Sequence, residues 1–341
     1  MEIRSRAPLR IGLAGGGTDL ADYSSRYGGA VFNATINMYS YCTIMPNDGQ
    51  KIHFVAPDRS ESVCLETTDC IPLEPPLILH KGVYNRIVRD FTHGKPLSFT
   101  MSTSSDAPAG SGLGTSSTMV VTILEAYDRW LGLGLDDYEK AALAYEIERH
   151  DIGLSGGKQD QYAAVFGGFN LMEFKMDGST VVNRLRLDDR AFYELESSLL
   201  LFYHGKSRDS GKIIEQQIQN TKDAKPKTIE AMHHLKQAAY DIKDSVVTGD
   251  FIHFAKILRA GWEEKKKTSA IVTNKELEET INYAFANGAE AVKLSGAGGG
   301  GFILIYCNPI NRQKVSDALK RHGGIVFPVS FSKHGAVSWV I

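Results

Sequence analysis

Residues Ser104 to Thr118, SSDAPAGSGLGTSST, join a run of turn-forming residues to a long apolar helical pattern. A glycine turn that opens a helix presents unpaired N–H groups and the positive end of the helix dipole, which together favour an anion such as phosphate. Neither common phosphate motif fits. Gly112 is followed by Leu-Gly-Thr-Ser-Ser where a P-loop needs Gly-Lys-Ser/Thr, and Thr115 stands where a dinucleotide fingerprint needs its last glycine. What remains is a cradle of backbone N–H groups followed by the hydroxyls of Thr115, Ser116 and Ser117. These can cap the helix or, beside a phosphate, ligate Mg²⁺. A magnesium ion bridging phosphates also needs a carboxylate. Glu146, Glu148, Asp151 and Asp160 all lie in AYEIERHDIGLSGGKQDQYAA. On a helix Glu146 and Glu148 face different ways, so at most one points into a given site. Asp160 also reads as a first-turn acid favourable to the dipole, and nearby Lys158 as a surface charge. Two more glycine clusters, Gly15–Gly17 and Gly298–Gly301, are by themselves only tight turns.

The elements that position these residues follow from periodicity. IRSRAPLRIGLAG and AVFNATINMYSYCTIMP alternate as strands, with a short helix from about Asp19 to Arg26 between them and Gly28-Gly29 as its stop. LSFTMSTS is a strand running into the glycine loop. Met119, Val120, Ile123, Leu124, Tyr127 and Leu131 then recur at helical spacing; further helices run from Leu135 through Arg149 and from near Gly157. Asp177-Gly178 marks a hairpin, and Asp188-Asp189 a domain end. Ser210 to Asn287 reads as mostly helical. There Phe251, Phe254, Leu258 and Trp262 form an apolar stripe, and Glu263 to Lys267 read as its solvated end. The last part alternates again through AEAVKLSG, FILIYC, a helix from Pro309 to Arg321, and VFPVSF. That order suggests an α+β domain with helices over one face of a mainly antiparallel sheet.

At 341 residues the chain calls for two domains, here 1–187 and 188–341. A net charge of −2 gives no electrostatic reason to expect nucleic acid or an anionic membrane as partner. Cys42, Cys64, Cys70 and Cys307 form no CxxC pair, which argues against a structural zinc site or a disulfide framework. MEIRSRAPLR lacks a signal-peptide core, and the longest apolar runs fall far below the roughly 20 residues a span requires. A soluble, cytoplasmic protein, monomeric or homodimeric, is expected.

Four segments, in order, resemble the GHMP small-molecule kinases over nearly the whole chain: APLRIGLAGGGTDL, PAGSGLGTSS, GGKQDQYAAVFGG and KLSGAGGGGFILIYC. The resemblance implies a two-domain α+β fold, a ribosomal-protein-S5-like α/β domain followed by a ferredoxin-like α+β domain. It implies ATP and Mg²⁺ as cofactors and a small-molecule substrate. By the same resemblance the loop Pro108, Ala109, Gly110, Ser111, Gly112, Leu113, Gly114, Thr115, Ser116 and Ser117 holds the nucleotide. Asp160 is the catalytic aspartate and Arg10 the catalytic basic residue. In sugar kinases of the family the metal glutamate lies twelve residues before the aspartate, which selects Glu148 to share the metal with Ser116. Gly16, Gly17, Thr18 and Asp19, with Gly298 and Gly299, belong to the substrate side.

Galactokinases carry Gly-Glu-His-Thr-Asp where this chain has Gly15-Gly16-Gly17-Thr18-Asp19. Replacing the glutamate and histidine with glycines opens space and removes negative charge near the sugar, which suits a larger or anionic sugar. The segments most resemble those of bacterial D-glycero-D-manno-heptose 7-phosphate kinases. That implies phosphorylation of an anomeric hydroxyl on the route to nucleotide-activated heptose for surface polysaccharide. Lys158, Lys206 and Arg208 are the candidates for holding the substrate's phosphate. The alternatives are an anomeric kinase for a free sugar such as fucose or galactose, or a non-catalytic sugar- and ATP-binding regulator on the same fold. A nicotinamide-dependent dehydrogenase is disfavoured by the missing third glycine.

Overall fold

The computed structural model describes residues 1–205 and 210–341. β1 (Ile3–Ala14) and β2 (Gly29–Pro46) pair antiparallel along most of their length and form the spine of the first sheet. α1 (Ala21–Tyr27) joins them and ends at Gly28, whose φ of 65° suits glycine. Next come β3 (Lys51–Ala56), β4 (Glu61–Glu66), α2 (Ile78–Asp90), β5 (Phe99–Ser105) and α3 (Thr115–Leu131). α4 (Asp137–Glu146) opens with a capping box between Asp136 and Glu139 and runs into a π-helical turn, Ile147–Asp151. α5 (Gln159–Phe166) and the hairpin of β6 (Phe169–Phe174) and β7 (Thr180–Leu185) follow, the latter turning at the expected Asp177-Gly178.

The remaining elements are α6 (Asp189–Ser198), β8 (Leu199–Tyr203), α7 (Ser210–Lys222), α8 (Pro226–Thr248), α9 (Phe251–Thr268) and α10 (Lys275–Ala286). β9 (Ala291–Leu294), β10 (Phe302–Tyr306), α11 (Pro309–Arg321), β11 (Ile325–Pro328) and β12 (Val337–Val340) complete the chain. The first sheet runs β12-β1-β2-β5-β3-β4, and β6 pairs with the first residues of β2. β2 can serve both neighbours because its 18 residues pair β6 over Gly29–Ala34 and β5 over Ser40–Pro46. Only β3 and β5 run parallel among the described strand pairs. The second sheet, β11-β8-β10-β9, is antiparallel throughout, as the alternation in its strands suggests.

α3 buries Met119, Val120, Ile123, Leu124 and Tyr127 against β1 and β2. Each such side chain removed from water contributes roughly 1.5–3 kcal/mol, so this helix, and the glycine loop at its start, is firmly anchored. The paired helices α8 and α9 fill the space between the sheets, with α8 against β1 and β2 and α9 against β9. Their core joins Leu9, Leu13 and Phe32 to Ala239, Ile242, Leu258 and Leu304.

Two expectations change. β12 returns to the first sheet, with Arg6 opposite Val337 and Ile3 opposite Val340, so the stretch 188–341 does not form one spatial unit to its last residue. The end of the α9 stripe is not wholly solvated either. Glu263 and Lys267 are exposed, but Lys265 is buried on the face carrying Phe254, Leu258 and Trp262. Among the described residues no helix is long and apolar enough to cross a membrane.

Candidate active site

β1 ends in the turn Gly15–Asp19. A Cβ on Gly15, at φ +79°, would fall 2.0 Å from Ala30 O, so the turn and β2 approach as closely as they do only through glycine. Thr18 is fully buried. Its hydroxyl lies 2.8 Å from both Gly15 O and Ala30 O, and it clasps the turn rather than facing the cavity. Asp19 is buried at 3% exposure and accepts the N–H of Gly17 at 3.0 Å and of Gln159 at 3.1 Å. Burial pushes its carboxyl above the usual range, with the Gln159 N–H opposing and the Asp160 charge adding to the rise.

Arg10, also on β1, ties this turn to the glycine loop before α3. Its Nε donates to Asp160 Oδ1 at 2.7 Å and its Nη1 to Gly112 O at 2.6 Å. Asp160 stands in the first turn of α5, and a Cβ on Gly114 would come within 3.2 Å of its Cγ. The loop is therefore glycine where the aspartate passes. It is glycine again where the second sheet approaches: a Cβ on Gly112 would lie 2.4 Å from Ser295 O, and one on Gly301 2.3 Å from Ser111 O. Ser295 Oγ donates to Gly112 O, and Phe302 N–H to Ser111 O, both at 2.8 Å. The glycine loop before α3 and the C-terminal glycine motif thus pack back to back.

Glu148, 1% exposed in the π-helical turn, accepts from Gln161 Nε2 at 2.7 Å and lies 3.3 Å from Arg149 Nη1. Ser117, buried, accepts from the same Gln161 amide at 3.1 Å and from Arg149 Nη2 at 3.4 Å. Ser116 precedes it, half-buried, at the start of α3. Glu146 points away, exposed and 3.7 Å from His150. Hydroxyl and carboxylate oxygens are hard donors that fit Mg²⁺, which keeps waters and phosphate oxygens as its remaining ligands. No group of three or more His, Cys, Asp or Glu that could hold a metal ion occurs among the described residues.

Arg10, Asp19, Arg149 and Asp160 line one small cavity together with Gly17, Gln159, Gln217, Lys265 and Gly296, while Glu148, Ser116 and Ser117 lie outside its lining. A larger cavity of about 620 Å³ opens elsewhere, beside Phe169, Arg184, Phe192 and Lys333. It holds none of the carboxylates just described, whereas the smaller one holds Asp19 and Asp160.

Three cations of the site went unmarked in the sequence. Arg149 lies under Gly156, whose Cβ would fall 2.4 Å from its Cζ, and its buried Nε has no partner among the described residues. Lys265 donates to Gly16 O at 3.0 Å. Lys293 donates to Gly12 O at 2.6 Å and lines an adjoining cavity with Lys265. Burial lowers both lysines, Lys265 to about 8 against the Asp19 charge and Lys293 to about 7 with help from the charges of Lys265 and Arg10. Lys158 instead donates to Gly178 O at 2.6 Å and stands over the Tyr145 ring, outside the cavity lining. Lys206 and Arg208 lie outside the described residues. Gly298 and Gly299 pack on Val272, with the Gly299 N–H donating to Val272 O at 2.7 Å, and leave Gly296 and Ala297 to face the cavity.

The GHMP kinases N terminal domain model matches residues 79–168, and the GHMP kinases C terminal model residues 241–325. The chain is 45% identical, over 339 residues covering 99% of each chain, to a D-glycero-alpha-D-manno-heptose 7-phosphate kinase of Campylobacter jejuni. It is also similar to a solved D-glycero-D-manno-heptose 1-phosphate kinase from Bacteriodes thetaiotaomicron, with TM-score 0.86, 45% identity and 99% coverage of both chains. A Lactococcus lactis galactokinase structure, at 17% identity and TM-score 0.78 over 98% of this chain and 95% of that one, shares the fold.

Proposed function

We propose that this chain, which belongs to the GHMP kinases, transfers the γ-phosphoryl group of ATP to the anomeric hydroxyl of a sugar phosphate, D-glycero-D-manno-heptose 7-phosphate. The observation that carries the kinase reading is the Arg10–Asp160 pair, 2.7 Å apart, beside the N-terminus of α3 and in one cavity with Asp19. What supports the heptose reading is the 45% identity to the Campylobacter jejuni heptose 7-phosphate kinase.

In this reading the N–H groups of Ala109–Ser117, in the loop that begins at Pro108, cradle the phosphates at the positive end of the α3 dipole. Asp160 takes or orients the proton of the attacking hydroxyl. Asp19 accepts a hydrogen bond from a neighbouring sugar hydroxyl. Arg10 fixes Asp160 and adds positive field at the transferring group, which passes through a loose transition state that needs alignment and charge neutralisation above all. Ser116 and Glu148 would hold Mg²⁺, which when bound offsets the negative charge of the phosphates. Residues 1–187 would carry the nucleotide loop, the turn Gly15–Asp19 and Asp160, and 188–341 the glycine motif that closes on them. An ATP-consuming step on a sugar phosphate fits the cytoplasm.

ADP release with a panel of sugars, each with and without a terminal phosphate, tests the reading. The highest kcat/KM is expected with heptose 7-phosphate. Preference for fucose or galactose would replace it with the free-sugar reading, and turnover of no sugar would favour a binding regulator.

A further inference from the structure

The glycine turn has a cation in it. A Cβ on Gly17, at φ +103°, would stand 3.0 Å from Lys265 Nζ and 3.7 Å from Gln217 Oε1. The space a side chain would claim at this position is thus occupied from the other domain, by the ammonium of α9. We propose that Lys265 is the residue that recognises the anionic group of the sugar, its ammonium reaching the sugar cavity through the gap at Gly17. The inference rests on the sugar-phosphate reading above and names the side chain that makes the specificity.

Burial without a direct ion pair is the first support. Lys265 Nζ donates to the neutral oxygens Gly16 O at 3.0 Å and Gln217 Oε1 at 3.4 Å, and Asp19, whose charge acts on it, makes no ion pair with it among the described residues. An ammonium carries three N–H donors, so one remains for a ligand. A charge held in a buried place is costly unless an anion joins it. Phe254, Leu258 and Trp262 lead directly to this position, where leucine or methionine would extend the apolar stripe without that cost.

The site's other cations are the second support, because they are engaged elsewhere. Arg10 is paired with Asp160. Arg149 lines the same cavity but is held by Ser117, by the carbonyls of Leu154, Ser155 and Gly157 and by Glu148 3.3 Å away, which leaves its Nε without a partner among the described residues. Lys293 turns to the carbonyls of Gly12 and Leu13, behind the turn. Among the described residues Lys265 is the cation bonded to the turn itself, and a phosphate monoester, dianionic above about pH 6, is the group it suits.

The charged groups around Lys265 are Asp19 on the turn and Lys293 on β9, with Arg10, Arg149 and Asp160 lining the same cavity, while Gln217 of α7 is neutral. Its ammonium is protonated below about pH 8 and loses its charge above it. Recognition of the phosphate should therefore weaken as pH rises through that value.

The test compares Lys265→Met and Lys265→Arg with the wild type, measuring kcat/KM for heptose 7-phosphate and for the unphosphorylated heptose. The ratio of the two cancels general damage to the site. In Lys265→Met the ratio should fall about 10- to 100-fold, the worth of a charge-assisted hydrogen bond. Lys265→Arg should recover most of it and hold it above pH 8, where the wild-type ratio declines. Equal losses for both sugars, or an unchanged ratio, would overturn the inference. If the wild type prefers another sugar phosphate, the heptose reading fails, and the same ratio with that sugar and its unphosphorylated form decides Lys265. If nothing is turned over, calorimetric binding of heptose 7-phosphate decides: weaker binding to Lys265→Met supports the inference. Equal binding, or none to the wild type, sinks it.

Discussion

Asp160→Asn separates the chemistry of the site from its architecture. The amide keeps an Oδ1 that can accept from Arg10 Nε, now 2.7 Å away, so the shape of the contact survives and only the charge goes. Two unit charges about 4 Å apart at an effective dielectric near 20 attract by about 4 kcal/mol. Arg10 is 3% exposed but Asp160 is 21% exposed, so desolvation and solvent screening offset much of that attraction. A net stability loss of about 1–2 kcal/mol follows, since Arg10 keeps its bond to Gly112 O. The rate should suffer more. Losing the group that accepts or orients the reacting proton costs about 10²- to 10⁴-fold in kcat, or roughly 3–5.5 kcal/mol. Affinity for ATP should change little, because the glycine loop proposed to cradle it is anchored through α3 and Ser295. ADP release at saturating sugar and ATP, beside thermal unfolding and nucleotide titration, reads all three. Turnover within about threefold of the wild type would refute the catalytic role of Asp160.

Glu148→Gln keeps an oxygen facing Gln161 but removes a negative charge, so the Mg²⁺ concentration for half-maximal rate should rise about tenfold or more. An unchanged magnesium titration would exclude Glu148 from the metal. Gly112→Ala should destabilise by more than the ~1–2 kcal/mol that a left-handed alanine costs alone, because its Cβ meets the Ser295 carbonyl at 2.4 Å. Gly132→Ala is the control, at φ +66° with no atom within 4 Å of the added carbon. Equal losses in thermal unfolding for the two variants would contradict the back-to-back packing of the loops.

The parts of the site that could be read from the sequence are those where residue type is set by backbone geometry. Gly15, Gly112 and Gly114 hold positive φ and would collide with carbonyls or with Asp160 if they bore a side chain, so glycine at these places carries positional meaning. The helix of α3 was equally plain, because a 3.6-residue period sustained over 17 residues fits neither a strand nor a loop. β12 was hidden for the opposite reason. Its four residues pair with β1 more than 300 positions away, and nothing local marks so distant a partner. The lysine of α9 was obscured by its neighbours. Glu263 to Lys267 average to a solvated run, yet position 265 is three residues beyond Trp262 and continues the buried face. Following the stripe through the charges would have found it.

The same contrast bears on how substrate choice is divided between the domains. The carboxylates of the site, Asp19, Glu148 and Asp160, and the loop for the nucleotide all come from the first half of the chain. The second half contributes Gly296, Gln217 and two buried lysines, and it meets the first through glycines packed on carbonyls. Such contacts have no side chain to adjust, so they fix the position of α9 relative to the turn Gly15–Asp19. A glycine at position 17 then does two things together. It lets the turn adopt its φ of +103°, and it leaves Lys265 Nζ a place 3.0 Å from where a Cβ would be. Restoring a side chain there should cost the lysine its place as well as straining the turn. On the proposed reading, the Gly-Gly-Gly of the turn and the lysine of α9 act as one specificity element, split between the first and second halves of the chain.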